Sequence, residues 1–152
     1  MKRHMVILAV TAICVGAAAS SAFAHHSHPI FYDACKPVTV EGRIDTIQFK
    51  DPHTLIVVRL DDGTAYTVDW AGLRGLTTSR VIGPAQQALV PGARVVATGH
   101  SIRSGAEIRA HFPEIKNDPN PRTIDLTEIR RVGDSFSWAR RPPQNPPDCK
   151  SK

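Results

Sequence analysis

Residues 37–70 constrain the fold more than any other part of the chain. Val38, Val40 and Ile44 fall on one face of a strand, with Thr39, Glu41, Arg43 and Asp45 on the other. After Ile44 the apolar phase changes, because Ile47 and Phe49 lie an odd number of residues away. A strand whose buried face switches midway needs a bulge or a sharp coil, and Gly42 eases the bend. A loop at Asp51-Pro52-His53 follows, then an apolar strand over 55–60 that needs cover on both faces. Asp62-Gly63 supplies the positive φ of a hairpin turn. The third strand alternates cleanly, Tyr66, Val68 and Trp70 against Ala65, Thr67 and Asp69.

Beyond this meander the pattern breaks. Residues 72–89 carry Leu73, Leu76, Val81, Ile82 and Leu89 around Gly75 and Gly83-Pro84, which predicts one or two short helices. Pro91-Gly92 turns the chain into a fourth strand over 93–102. Ser104-Gly105 then leads into a fifth over 107–112, where Ile108, Ala110 and Phe112 share a face. The fold class is therefore all-β. Three strands, a helical connection and two more strands is the order of a small OB-fold-like antiparallel barrel spanning residues 37–116. Residues 117–152 read as an irregular C-terminal extension ending in a basic, Pro-rich tail. Within it, 123–138 fits either a hairpin about Gly133-Asp134 or, through Leu126, Ile129 and Val132, a helical turn.

The first residues do not belong to that domain. Lys2 and Arg3 precede an apolar run, and Ala22-Phe23-Ala24 forms a small-x-small cleavage site, so residues 1–24 read as a signal peptide. The run is too short for a comfortable membrane span, leaving no transmembrane anchor after cleavage. A bulky Ile13 before Cys14 argues against a lipoprotein. Residues 25–36 become a His-rich lead-in of a periplasmic or secreted protein, with Ile30, Phe31 and Tyr32 placed to lie across the barrel. Loss of Lys2 and Arg3 lowers the formal charge from +5 to +3, and that surplus sits in the C-terminal quarter. Such a tail suits peripheral contact with anionic surfaces. Export and the balanced charge of the barrel argue against nucleic acid.

Two cysteines remain after cleavage, Cys35 and Cys149, and an even pair in an exported chain reads first as a disulfide. The competing reading makes Cys35 a metal thiolate near His28.

Ala24-His25-His26-Ser27, Tyr32-Asp33, Lys36-Pro37-Val38-Thr39, Glu41-Gly42, Asp51-Pro52-His53 and Val68-Asp69-Trp70-Ala71 form a series. The chain thereby resembles a family of small secreted bacterial β-barrel proteins of unknown function. That family has an Ala-His-His-Ser-Phe mature start and an Asn-Pro-His loop. The resemblance covers about two-thirds of the mature chain and implies a barrel but no activity. This chain departs from the pattern at His28, at Asp51 and at Gly72.

The mature start carries the one chemical hypothesis. Cleavage after Ala24 gives His25 both an α-amine and an imidazole, which together chelate Cu(II); a further imidazole completes a T-shaped brace. His53, in the loop after strand one, is the first candidate for that donor, and His100 and His111 are weaker ones. His26, in second position, binds Cu(II) alternatively through amine, amide and ring nitrogens. The metal set is thus His25, His26, His28 and His53, and copper leads the affinity order among divalent ions. The plain alternative is an exposed His-rich end with His53 in an ordinary turn.

Tyr66 and Trp70 form a possible ligand face for a small molecule, as well as a possible part of the core. The sequence has no Gly-x-Ser-x-Gly elbow, His-Glu-x-x-His helix or Cys-x-x-Cys pair, so no catalytic set is assigned. The partners expected are an envelope protein or a small ligand.

Overall fold

The computed structural model describes residues 28–142 and 148–149. The segment read as a signal peptide, His25, His26 and the last lysines lie outside the described residues. A one-turn helix α1 (His28–Phe31) enters the long strand β1 (Tyr32–Gln48), followed by β2 (His53–Arg59) and β3 (Ala65–Ala71). Helices α2 (Leu73–Thr78) and α3 (Ile82–Ala88) connect to β4 (Arg94–Ile102). A short α4 (Gly105–Arg109) then precedes β5 (Thr123–Arg131) and the three-residue β6 (Ser137–Ala139).

The sheet order is β3-β2-β1-β4-β5-β6, and β3 also pairs in parallel with β5 from Thr67↔Thr123 to Asp69↔Asp125. That last pairing closes a five-stranded barrel of OB type. β1 closes it by serving two neighbours: its first part pairs with β4 and its last part, from Arg43↔Arg59 to Gln48↔Leu55, with β2. The register shifts between Ile44 and Thr46, where the apolar phase changes. Val40, Gly42 and Ile44 are buried before the shift, and Ile47 is half-buried after it. Gly42 stands where the two strands nearly touch: a Cβ there would lie 2.3 Å from the carbonyl oxygen of Arg59.

Inside the barrel, Val40, Ile44, Ile56, Val58, Val68, Val95 and Leu126 form one core with Leu76, Ala85 and Leu89 from the helical connection. β2 is fully buried at Ile56 and Val58 and half-buried at Leu55 and Val57.

Two expectations need correction. Residues 107–112 do not form the fifth strand. Ser104 Oγ accepts from the Glu107 amide and the Glu107 carboxylate accepts from the Ser104 amide, a capping box that starts α4. The fifth strand is β5, so the barrel begins at Tyr32 and runs on to residue 131, past the expected limits of 37 and 116. Of the alternatives for 123–138, the hairpin is the one formed: the Arg131 amide donates to Phe136 O at 3.1 Å across the turn. Leu126 and Ile129 share the interior at helical spacing because the β4–β5 register slips one residue at Thr127.

Candidate functional site

At one end of the barrel the closing register places Asp69, near the end of β3, beside Asp125, near the start of β5. Gly99 lets β4 come close: a Cβ there would lie 2.4 Å from Asp125 O, and the next residue, His100, pairs with Asp125.

Asp125 is the hub of one half of the site. Its side chain is 4% exposed and receives two hydrogen bonds from the Arg140 guanidinium, at 2.7 and 2.8 Å. His28 Nε2 lies 2.9 Å from Oδ1, and His100 Nδ1 lies 3.9 Å from Oδ2. A carboxylate this dry costs several kcal/mol unless paired, so the bidentate guanidinium is what allows it to sit here, on the order of magnitude known for buried ions. Arg140 is itself placed by its amide, which donates to Thr127 O at 2.7 Å, the carbonyl of the slipped residue.

Asp69 is the hub of the other half. The Tyr32 hydroxyl donates to Oδ2 at 2.7 Å and His53 Nδ1 meets Oδ1 at 2.7 Å. The two halves touch through the His28 and Tyr32 rings, edge to face with centroids 5.0 Å apart. Burial, then the neighbouring Asp69 and Asp125 carboxylates, hold the Tyr32 phenol far above the usual range, so it remains a donor. Burial pulls His100 below the ordinary imidazole value; Arg140 and His28 pull the same way, against Asp125.

A deprotonated carboxylate only accepts, so the His53 ring donates to Asp69 from Nδ1. That leaves Nε2 of His53 with no hydrogen bond among the described residues. The His53 and His28 rings are open to solvent, at 50% and 41% side-chain exposure. Two carboxylates against one guanidinium leave the cluster net negative when the imidazoles are neutral.

A third carboxylate, Asp33, lies buried nearby, 3.5 Å from Arg103 and 3.6 Å from Lys36. The β1–β4 register jumps between Asp33 and Pro37, so residues 34–36 bulge from the ladder. The bulge is tied by the Cys35 amide donating to Asp33 Oδ1. It carries Cys35 to a disulfide with Cys149, Cα atoms 5.4 Å apart, which excludes the thiolate reading of Cys35 in this structure.

Of the metal candidates, His25 and His26 lie outside the described residues. His28 and His53 come to the same end of the barrel on different carboxylates, and His100 joins them through Asp125. His111 lies just past α4, exposed, beside Pro29 and Ile30 and outside this cluster. Among the described residues no three His, Cys, Asp or Glu side chains are grouped closely enough to hold a metal unaided. The Tyr66/Trp70 face is core: Trp70 is 1% exposed and packs edge to face on Trp138, centroids 5.0 Å apart, and Tyr66 packs against the same cluster. Sequence reasoning assigned no site role to Tyr32, Asp69, Asp125 or Arg140. The Asp69-Trp70 alternation held a hint, since it placed Asp69 on the face opposite the core.

The chain belongs to a family of unknown function, DUF6152, whose model matches residues 12–110. That match ends before β5 and Asp125. No curated protein matches the sequence. Among solved structures the chain is similar to one in the Stn1-Ten1 complex of S. pombe, at 11% identity and a TM-score of 0.43. The alignment covers 65% of this chain and 60% of that one.

Proposed function

We propose that this protein is an exported, periplasmic or secreted, binding module rather than an enzyme. It holds a divalent metal ion, copper foremost, at the histidine-bearing end of its barrel. The donors are His25 and His26 at the mature start together with His28 and His53. One observation carries the reading: His28 and His53 lie at the same barrel end, with ring nitrogens 2.9 and 2.7 Å from carboxylate oxygens. A metal-binding histidine characteristically has its second ring nitrogen held in this way. The net negative charge of the cluster favours a cation, and His25 and His26 are three and two residues from His28 in the chain.

Export is supported by the sequence of residues 1–24 and by the disulfide. No helix among the described residues is long and apolar enough to cross a membrane.

A second reading is a barrel that meets an envelope protein or a small molecule and binds no metal. It is favoured by the pairing of every imidazole at this end with a carboxylate, which also suits a purely structural network. Mass spectrometry of the exported protein fixes its first residue, and Cu(II) titration of the wild type against His25→Ala and His53→Ala tests the metal. Weaker binding in both variants supports the brace. A loss in His25→Ala alone points to a terminal chelate, and equal affinity in all three rejects the metal reading.

A further inference from the structure

A cavity of about 470 Å³ opens between α3 and the hairpin that joins β5 to β6, and no residue of the histidine cluster lines it. Its volume is in the range of small-molecule sites, which combine apolar walls with a few placed polar groups. We propose that it binds a small aromatic carboxylate, with the ring against Trp138 and Phe136 and the anionic group on Arg80. This site does not depend on the metal reading above.

The walls come from both sides. Val81, Pro84 and Ala88 lie on the helical side, and the hairpin contributes Phe136 and Trp138. Backbone bonds fix the hairpin: Asp134 Oδ1 accepts from the Phe136 amide at 3.0 Å, and Phe136 O accepts from the Arg131 amide at 3.1 Å. Val81, Phe136 and Trp138 rest on the core, and Trp138 stands edge to face on the buried Trp70, so packed side chains back the aromatic wall. Both aromatic rings of that wall are only half-buried.

Charge decides the class of ligand. Two charged residues line the cavity, Arg80 and Asp134. Asp134 is already occupied, 3.4 Å from Arg131 Nη1 and accepting the Phe136 amide. The Arg80 side chain is exposed and makes no hydrogen bond or ion pair among the described residues. Its backbone is a second observation. Arg80 has φ 57°, in the left-handed region, and no other non-glycine among the described residues has a positive φ. It closes α2 in a Schellman turn, its amide donating to Thr77 O at 3.0 Å and the Val81 amide to Leu76 O at 2.9 Å. Glycine fits that position without strain, so an arginine held there at the cavity points to a use for its side chain. A guanidinium takes a carboxylate through two parallel hydrogen bonds, and a flat ring suits the indole and phenyl walls.

The test uses the full exported protein with its disulfide intact, and the probes are cinnamate and its neutral counterpart cinnamamide. Calorimetry reads affinity, and the Trp138 indole N–H resonance reads location, with Trp70, the other tryptophan of the chain, for comparison. Cinnamate is expected to bind saturably, to shift the Trp138 resonance and to bind about 3- to 10-fold more tightly than cinnamamide, the range for a charge-assisted pair open to solvent. Arg80→Gly is expected to abolish that preference and still fold, since glycine suits the turn, and Arg80→Lys to keep part of it. Cinnamate that does not bind, that leaves the Trp138 resonance unmoved, or that has no advantage over cinnamamide overturns the proposal. An advantage that survives Arg80→Gly overturns it too. So does a ligand-free protein whose nuclear Overhauser contacts show residues before 28, residues 143–147 or a second copy already seated against Trp138.

Discussion

Two ionic clusters lie on the barrel, one at each end of β4, yet the same residue types do different work in each. At the far end, where β2 ends and β4 begins, Arg94 reaches Glu41 at 2.9 Å and Asp61 at 2.9 and 3.1 Å, and Arg59 pairs with Asp45. Glu41 is 50% and Asp61 72% exposed, so water competes for every one of these contacts. At the histidine end the Asp125 side chain is 4% exposed and Asp69 15%. There the protein must supply what water would have given, and the partners become obligatory. Burial is what separates a solvated rim from a site with a defined arrangement.

That contrast can be broken in steps. The largest effect is expected from the covalent tie at the histidine end. Replacing Cys35 and Cys149 by Ser opens a loop of 114 positions and should lower stability by about 3–5 kcal/mol on the chain-entropy argument. Denaturant titration of oxidised wild type and variant measures it. Next comes Arg140→Ala, which strands the Asp125 carboxylate. Because the guanidinium is itself 36% exposed, the loss should be about 2 kcal/mol, below the full range for a buried pair. If Arg140→Ala is silent, Asp125 finds its solvation elsewhere and the contrast between the ends fails.

Tyr32→Phe removes one neutral donor to a carboxylate and should cost about 1 kcal/mol near neutrality, read as a shift in the denaturation midpoint. Its signature is alkaline. The folded phenol keeps its proton while the unfolded one loses it near pH 10, so Tyr32 contributes stability below about pH 10 that is lost as pH rises beyond it. Melting curves at rising pH should fall more steeply for the wild type than for Tyr32→Phe.

His100 behaves in the opposite sense. Its folded value is depressed, so the unfolded chain takes up a proton first on acidification. The contribution is present above about pH 6.5 and is lost as pH falls below it. His100→Gln should therefore lose less stability than the wild type between about pH 7 and pH 5. At the far end, Arg94→Ala should give the smallest change of the series, and added salt should erase what there is.

Much of the barrel was legible because its determinants are local. The phase change after Ile44 announced the bulge in β1, and Asp62-Gly63 announced the hairpin between β2 and β3. The closing strand was misplaced for reasons equally local. Ile108, Ala110 and Phe112 alternate like a strand, but the Ser104–Glu107 capping box committed residues 105–109 to a helix. In β5 the slip at Thr127 gave Leu126 and Ile129 a helical spacing within a strand.

The site was less legible than the fold. His28 and His53 drew notice as residue types, but their carboxylates are assembled by distant pairings: Tyr32 with Asp69 spans 37 positions and Arg140 with Asp125 spans 15. A single sequence carries the alternation that aims Asp69 away from the core. It does not carry the parallel closure of β3 on β5 that sets Asp69 beside Asp125.

The bond between Cys35 and Cys149 joins the bulge at the start of the barrel to the last described residue, so the chain from first strand to tail is a covalent hoop. One peptide cleavage in any loop between them would open the hoop without shedding a fragment, and the nicked protein would keep its mass until it was also reduced. A force applied at positions 35 and 149 would likewise bypass the sheet and load the sulfur bridge first. That wiring makes the first nick survivable.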